Sequence, residues 1–398
     1  MKKIVYILLA VCMSVLFVSC GAELQQSDDT AEDTCKIGVL VYNIADREVV
    51  SFRKYLEDYI AGCFDGVEFL YSESIEDEEE ELTFIQDAID AGVQGIMSFQ
   101  SFDLAEEVSL CAENGVYYMM ASGSVADDAF AAVQDDPYFL GVVGPGDDVE
   151  YQAGADLATH MYENKTSDTY FILSGGGSLG NEMHLQRTEG VLDTLQSCYG
   201  VELSVTSEEL ALSAEPVTIS EDGLTLCICP GYMNFEEFLG SAEEAFAEGT
   251  YDQVIAVMAA DDIMSTFQKA NARVAMVDCY SDENMLLFNE GVLCYLTGKY
   301  SSIIGPSFTA MYNACLGYAD DFRDQGKAFQ ISQGFWSSDS KDDFAEKYAY
   351  SSSLELNAYN YEDLANLCKN YNESADFEDL TDMAEAYDFP SAVARRQS

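Results

Sequence analysis

The sequence predicts an α/β fold of two similar lobes, each with a parallel sheet covered by helices on both faces. Short apolar runs alternate with amphipathic stretches, beginning with the run 37–42 and the helical pattern 49–63. Apolar runs without polar alternation are typical of strands buried on both faces. The same alternation restarts after Gly144, and this repetition predicts the second lobe.

Length and composition agree with two domains. The chain has 398 residues, of which 48% are hydrophobic and 12% aromatic, which is enough to fill two sizeable cores. Its 72 acidic and 18 basic residues give a net charge of −54. Because such a surface repels phosphate backbones, we expect no nucleic-acid partner.

The first lobe is expected to start at residue 36. Apolar residues spaced by three and four predict the helix 49–63. The acidic run 76–81 opens the next helix, because negative side chains stabilise a helix N-terminus. The expected elements are strands 37–42, 67–71, 95–99 and 116–121, with helices 49–63, 82–91 and 104–114.

The second series of elements follows the same pattern and leads into a tail that is predicted to be helical and acidic. The expected strands are 169–174, 201–205, 224–229, 253–258, 274–278 and 329–334. The expected helices are 151–162, 185–198, 235–246, 263–270 and 309–323, followed by tail segments 361–371 and 380–387.

The first twenty residues have the pattern of a secretory signal. Lys2 and Lys3 precede the mostly apolar run 4–18, whose 15 residues fall short of the ~20 that span a bilayer as a helix. The end of the run resembles a bacterial lipobox, in which Cys20 is acylated. We therefore expect an extracytoplasmic protein anchored to the cell membrane by lipid; the alternative is an ordinary cleaved signal with Cys20 unmodified.

Cysteine and histidine usage argues against a metal centre. Ten cysteines lie outside the signal, mostly single and within apolar runs, which favours buried thiols. The sequence has no CxxC pair, and its two histidines are His160 and His184. We expect neither a metal nor a cofactor.

A glycine-rich loop at 175–180 matches two catalytic patterns at once. It contains GxGxxG, the dinucleotide-binding fingerprint, but it lies mid-chain in an exported protein. It also contains GxSxG around Ser178, the nucleophile elbow of serine hydrolases. No histidine follows His184, so the activating base of that mechanism is missing. We interpret the loop as a turn that leads into a helix.

From residue 36 to about 348 the chain resembles the type 1 periplasmic binding proteins, in their ribose- and galactose-binding branch. The motifs that carry the resemblance stand in the family's order along the chain. They are the segments 86–97, 113–118 and 147–158, the run Arg187-Thr188-Glu189-Gly190-Val191, and the turn Asn289-Glu290-Gly291.

The resemblance implies two Rossmann-like lobes joined by a three-crossover hinge that close around one ligand. It implies lobe 1 at 36–144 plus 305–334 and lobe 2 at 145–304 plus 335–348. The remaining segments are a signal peptide at 1–19, an acidic tether at 20–35 and a helical C-terminal extension at 349–398.

Ligands of parallel sheets bind beyond the carboxyl ends of the strands, and two such edges facing across a hinge form a cleft that closes on binding. The aromatic residues at these edges suit stacking on a sugar ring or a base, with ordinary core packing as the alternative. The expected ligand-binding residues are Tyr42, Asn43, Arg47, Phe99, Gln100, Ser122, Asn181, His184, Asp261, Tyr280 and Trp336.

The sequence departs from the sugar-binding pattern of the family. Ser122-Gly123 stands where sugar-binding members usually carry an Asp-Arg pair, and Leu185 where an arginine is expected. Ala260 replaces an asparagine, and Cys279 replaces an aspartate, although Asp278 is adjacent. We therefore expect a ligand other than ribose.

The expected function is that of a monomeric, lipid-anchored solute-binding protein of an ABC importer. It would bind a small polar ligand, sugar-like or nucleoside-like, and deliver it to a membrane permease without catalysing a reaction. One alternative is a sensor that presents its ligand to a membrane kinase or chemoreceptor. The other is an exported hydrolase that uses Ser178 or a pair of carboxylates.

Overall fold

The computed structural model describes residues 34–231, 236–299, 301–352 and 357–397. The expected signal peptide, Cys20 and most of the expected tether lie outside the described residues. None of the helices in the described part of the chain is both long enough and apolar enough to cross a membrane.

Lobe 1 is built on a sheet of six parallel strands in the order β12-β5-β4-β3-β1-β2. The chain runs from β1 outward to the edge strand β2 and then returns to β3 on the other side of β1. This reversal is a topological switch point, beside which open α/β sheets bind ligands. The strands are β1 Cys35–Val41, β2 Val67–Ser74, β3 Gly95–Ser98, β4 Tyr117–Met120, β5 Phe139–Gly144 and β12 Phe329–Ser332.

Three aspartates start helices at the carboxyl edge of this sheet. The side chains of Asp46, Asp77 and Asp103 accept hydrogen bonds from backbone amides in the first turns of α1, α3 and α4. The helices of lobe 1 are α1 Arg47–Lys54, which continues through a π-helix at Tyr55–Ile60 into α2 Ala61–Cys63, then α3 Glu78–Asp90, α4 Leu104–Glu113, α5 Asp127–Val133 and α12 Gly305–Cys315.

Lobe 2 repeats the plan with a sheet ordered β13-β11-β10-β9-β6-β8-β7, in which the two outermost strands, β7 and β13, are antiparallel to their neighbours. The strands are β6 Thr169–Gly175, β7 Val217–Glu221, β8 Leu224–Pro230, β9 Gln253–Ala256, β10 Arg273–Val277, β11 Leu293–Gly298 and β13 Trp336–Ser338. The helices are α6 Asp147–Glu163, α7 Glu182–Tyr199, α8 Ser207–Ala211, α9 Glu236–Glu248, α10 Asp261–Ala270, α11 Asp282–Glu290 and α13 Lys341–Ser352.

Helices α6 and α7 pack with their backbones almost touching. A Cβ atom at Gly154 would collide with the backbone of Arg187, and one at Gly190 would collide with the carbonyl oxygen of Tyr151. Both glycines belong to the motifs that carried the family resemblance. The close approach gives those motifs a physical reason, since only glycine fits at the contact.

The prediction of two α/β lobes is confirmed. The chain passes between the sheets after β5, after β11 and after β12. Beyond α13, the described residues continue through α14 Tyr361–Asn366, α15 Phe377–Glu385 and α16 Phe389–Gln397, and α14 and α15 pack against α12 of lobe 1.

Some predicted elements differ from the structure. The expected strand 201–205 does not form; instead Thr206 and Glu209 make a capping box that starts α8. The expected helix 309–323 ends as α12 at Cys315, and a short 3-10 helix follows at Ala319–Phe322. Strands β5, β7, β11 and β13 were not predicted; in β5, Gly141 interrupts the apolar run.

Candidate functional site

The two sheets face each other through their carboxyl edges, and Arg47 makes one of the contacts between them. Arg47 begins α1 directly after β1 of lobe 1, yet its guanidinium forms an ion pair with Asp261 of lobe 2. Its Nη1 lies 3.7 Å from Oδ2 of Asp278 and 3.4 Å from Oγ of Ser281, and its Nε lies 3.9 Å from Oε2 of Glu283. We call these five residues the Arg47 cluster.

The electrostatics of the Arg47 cluster favour the charged guanidinium. Burial acts to lower the pKa of Arg47, but the hydrogen bond to Asp261 and the charges of Asp261 and Asp278 outweigh it, so that the pKa is raised. The structure thus brings together two of the predicted site residues, Arg47 and Asp261. Sequence reasoning did not place Ser281 and Glu283 in the site.

Asp278 is the most buried acid of the cluster. Its side chain is 9% exposed and accepts hydrogen bonds from the Cys279 amide and from Nδ2 of Asn284, both at 2.7 Å. Burial raises the pKa of Asp278 to about 6, with a further rise from Asp261 that Asn284 and Arg47 oppose. Its position directly after β10 is the sequence signal that could have identified it.

A second interlobe ion pair lies one residue along α1. Oε1 of Glu48 is 3.4 Å from Nζ of Lys299, which follows β11 and is 7% exposed. Burial raises the pKa of Glu48, and Lys299 opposes that rise. Burial, followed by the charges of Glu48 and Asp46, raises the pKa of the Tyr42 phenol, which therefore stays neutral at the edge of the cleft.

His184 and Asn181 organise the glycine-rich loop of lobe 2. Nδ1 of His184 accepts a hydrogen bond of 2.9 Å from the Gly176 amide, and Oδ1 of Asn181 accepts one of 3.0 Å from the His184 amide. Burial, with a smaller contribution from Arg187, lowers the pKa of His184 to about 3. The imidazole is therefore neutral near pH 7. It accepts the hydrogen bond of the Gly176 amide, a loop amide that would have to donate to phosphate in a dinucleotide site.

The remaining lobe 1 residues of the predicted site lie at the ends of β1, β3 and β4. Oδ1 of Asn43 accepts a hydrogen bond from the Ala45 amide at 2.9 Å, in the turn before α1. Phe99 is 7% exposed and stacks on Phe52 with ring centroids 5.1 Å apart. Gln100 is partly buried, and its Nε2 donates to the carbonyl oxygen of Ile75 at 3.4 Å.

Ser122 differs from its neighbours at this edge. It is 6% exposed, and its buried Oγ has no hydrogen-bond partner among the described residues. A buried hydroxyl without a partner is costly, and such groups call for a specific explanation. At the carboxyl end of β4, a polar ligand is one such explanation.

Tyr280 and Trp336 are both engaged in packing. Tyr280 is 3% exposed, stacks on Phe344 at 4.8 Å and shares a hydrogen bond of 2.9 Å with Ser338. Trp336 is 2% exposed and stacks on Tyr387 at 5.3 Å. The alternative of core and hinge packing fits both side chains.

Comparison with known proteins rests on structure alone. No protein-family model and no curated protein matches this sequence. A sugar ABC transport substrate-binding protein from Bordetella parapertussis matches with a TM-score of 0.58 and 14% identity over 81% of this chain and 94% of that chain.

Two further solved structures contain ligands. An ABC transporter periplasmic solute-binding protein from Actinobacillus succinogenes with bound D-allose matches with a TM-score of 0.59 and 11% identity, over 79% of this chain and 100% of its own. An ABC transporter solute-binding protein from Bacillus halodurans with bound myo-inositol matches with a TM-score of 0.56 and 16% identity, over 80% of this chain and 99% of its own. The chain therefore has the two-lobed α/β fold of the type 1 periplasmic binding proteins.

Proposed function

We propose that this protein is the extracytoplasmic solute-binding protein of an ABC importer, and that it binds a small polar ligand between its lobes. The observation that carries the proposal is the meeting of the two carboxyl edges at the Arg47 cluster. Side chains from both lobes converge there, so that a ligand placed between them would be gripped from both sides. The ligands of the comparison structures, allose and myo-inositol, suggest a polyhydroxylated molecule, sugar-like or nucleoside-like.

The proposed site consists of polar groups at the two facing edges. Lobe 1 contributes Tyr42, Asn43, Arg47, Gln100 and Ser122, and lobe 2 contributes Asn181, His184, Asp261 and Asp278. We assign Phe99 to the wall of the site because it stacks on Phe52. Tyr280 and Trp336 support the lobes and the hinge. No member of this set is assigned a catalytic role, since binding and release require no bond to break.

We also propose the division into lobe 1 at 36–144 plus 305–334 and lobe 2 at 145–304 plus 335–348, with an extension beyond them. The protein would act as a monomer, held to the cell membrane through lipid on Cys20 and passing its ligand to a permease. Mass spectrometry of the N-terminus of membrane-extracted protein tests the anchor. An unmodified or differently cleaved N-terminus would contradict it.

A thermal-shift screen tests the binding function. Sugars, polyols and nucleosides are added to the purified protein, and a true ligand stabilises the folded state by mass action. At a hundredfold excess over the dissociation constant, the stabilisation is about 2.7 kcal/mol, which gives a clear rise in melting temperature. If no compound of these classes raises it, the proposed ligand class is wrong.

The unpartnered hydroxyl of Ser122 gives a sharper prediction once a ligand is found. If a ligand group pairs with Oγ, Ser122→Ala weakens binding about tenfold, the equivalent of roughly 1.4 kcal/mol. Isothermal titration calorimetry measures the loss. Ser307→Ala is the matched control, because Ser307 is also buried but donates to the carbonyl oxygen of Ala121 at 2.7 Å. Equal affinity of the Ser122→Ala and unmodified proteins would remove Ser122 from the site.

A further inference from the structure

About four fifths of this chain covers 94–100% of the Bordetella parapertussis and Actinobacillus succinogenes structures, so roughly a fifth of the chain lies outside the match. Residues 349–352 complete α13 and are counted here with lobe 2; the described part of the C-terminal extension that follows, residues 357–397, contains α14, α15 and α16. It contacts both lobes, through two separate sets of contacts.

The first set holds the extension to lobe 1. The hydroxyl of Tyr55 donates to the carbonyl oxygen of Tyr359 at 2.8 Å, and the Tyr361 amide donates to the hydroxyl of Tyr59 at 2.7 Å. Both partners lie in the π-helical segment that continues α1. On α12, the side chain of Asn313 donates to Leu367 at 2.8 Å and accepts from the Lys369 amide at 2.9 Å.

The second set joins the same extension to lobe 2. Phe389 packs edge-to-face on Trp336 of β13 at 5.0 Å and on Tyr350 of α13 at 5.1 Å. Tyr387 stacks on Trp336 at 5.3 Å and on Tyr359 at 5.7 Å. We call Trp336, Tyr350, Tyr387 and Phe389 the hinge aromatic cluster.

The lobe 2 members of this cluster are firmly part of lobe 2. Strand β13 pairs with β11 in the second sheet. Helix α13 is anchored by Phe344, which stacks on Tyr280 at 4.8 Å and packs on Phe288 at 4.9 Å. Rotation of lobe 2 away from lobe 1 would therefore carry Trp336 and Tyr350 with it, while Tyr387 stays with Tyr359 on lobe 1.

We propose that the C-terminal extension is a strap across the hinge, and that its aromatic contacts limit how far the cleft opens. Opening must separate or slide the rings of the hinge aromatic cluster, exposing apolar surface to water. The strap therefore shifts the ligand-free protein toward closed conformations. The inference rests on the proposed function only in naming ligand capture as the process that the strap regulates.

Small-angle X-ray scattering of the ligand-free full-length protein tests the strap. Phe389→Ala removes the ring that contacts both Trp336 and Tyr350, and we expect a larger radius of gyration and maximum dimension. Phe377→Ala is the matched control: Phe377 is also a partly buried aromatic of the extension, but it stacks on Phe329 of lobe 1 at 5.8 Å. The control is expected to lower stability while leaving the scattering curve unchanged.

A variant on the lobe 2 side of the hinge aromatic cluster tests whether the expansion comes from the lost contact or from unfolding of the protein. Tyr350→Ala is expected to expand the protein as Phe389→Ala does. The double variant should expand it no further, because both changes remove the same contact between Tyr350 and Phe389. Circular dichroism confirms that each variant is folded. The proposal is overturned if folded Phe389→Ala and Tyr350→Ala proteins scatter like the unmodified one, or if Phe377→Ala expands it equally. Since no ligand is added, a failed ligand screen does not decide this test.

Discussion

Glu81 and Glu107 place two carboxyl groups in the interior of lobe 1, and each is fully buried. The Phe102 amide donates to both, at 2.9 Å to Oε2 of Glu81 and at 3.1 Å to Oε1 of Glu107. Glu107 also accepts from the hydroxyl of Tyr118 at 2.5 Å. Burial, and then Glu107, raise the pKa of Glu81 to about 9, so that Glu81 keeps its proton at neutral pH.

This proton makes stability depend on pH. The ordinary pKa of glutamate is about 4.3, so between about 4.3 and 9 the folded protein binds a proton that the unfolded chain lacks. The stability that this proton contributes is fully present below the unfolded-state pKa of about 4.3. It is lost as the pH rises through the folded-state pKa of about 9. Glu81→Gln keeps a neutral donor, and we expect its stability to decline less between pH 6 and pH 9.5.

Urea denaturation at the two pH values measures this difference. At pH 9.5 the Glu81→Gln variant should be more stable than the unmodified protein by about 1–3 kcal/mol, the cost of an uncompensated buried polar group. Glu79→Gln, at an exposed position of the same helix, is the control and should leave the pH profile unchanged. Parallel profiles of the Glu81→Gln and unmodified proteins would mean that Glu81 is ionised in the folded state.

The sequence could locate candidate site residues at strand ends but not their partners. Arg47 and Asp261 were predicted because each lies just beyond a buried strand, and the structure joins them. Asp278 was noted only as a neighbour of Cys279, since burial and the hydrogen bond from Asn284 are not visible in a linear pattern. Trp336 also follows a predicted strand, but its packing on Tyr387 and Phe389 is not visible in a linear pattern.

At the level of elements, the close contact of α6 and α7 supports a prediction. Gly190→Ala would push a methyl group into the carbonyl oxygen of Tyr151, and relief requires the two helices to separate. We expect a loss of about 2–3 kcal/mol in the free energy of unfolding, at the upper end for overpacking. Urea titration measures the loss.

Gly240→Ala is the matched control for this prediction. Gly240 lies in α9, and a Cβ atom there has no neighbour within 4 Å. Since alanine favours a helix interior by about 0.5–1 kcal/mol over glycine, this variant should be stabilised. A Gly190→Ala protein as stable as the Gly240→Ala protein would show that the helices are not in backbone contact.

Element prediction succeeded where the pattern was local. Most strands and helices of both lobes follow apolar runs and three-to-four spacing, which neighbouring residues alone determine. The expected strand 201–205 failed because the capping box of Thr206 and Glu209 outcompeted a weak apolar run. Strand β13 has three residues and is held by its pairing with β11. The paired residues Ser337 and Thr297 are forty positions apart in the sequence, so local patterning could not predict this strand.

At the scale of the whole molecule, the relation between the lobes depends on a balance of charge. The repeated strand-helix alternation predicted two lobes, but it could not predict which side chains meet across the cleft. The chain carries a net charge of −54, so the lobes repel each other at long range. The Arg47 cluster places one cation of lobe 1 among three acids of lobe 2.

Removing that cation should open the cleft. In Arg47→Gln, the lobe 2 acids Asp261, Asp278 and Glu283 lose the lobe 1 cation that compensates part of their charge, and uncompensated negative charge between partly buried groups of two acidic lobes is repulsive. We expect a larger radius of gyration in small-angle scattering of the ligand-free protein at low salt. Because the cause is repulsion, raising the ionic strength from 0.01 M to 1 M, which shortens the screening length from about 30 to about 3 Å, should reverse much of the expansion.

Arg53→Gln separates this effect from a simple loss of charge. Arg53 lies on the same helix and pairs with Glu57 on the surface, with its side chain 48% exposed. The Arg53→Gln variant changes the net charge by the same unit as Arg47→Gln, but the residue it removes does not bridge the lobes. Its scattering curve should therefore match that of the unmodified protein at every salt concentration. If Arg53→Gln expands as much as Arg47→Gln, general repulsion and not the Arg47 cluster controls closure. If Arg47→Gln expands but does not contract in salt, the guanidinium holds the lobes through its directed hydrogen bonds, and the charge balance is secondary.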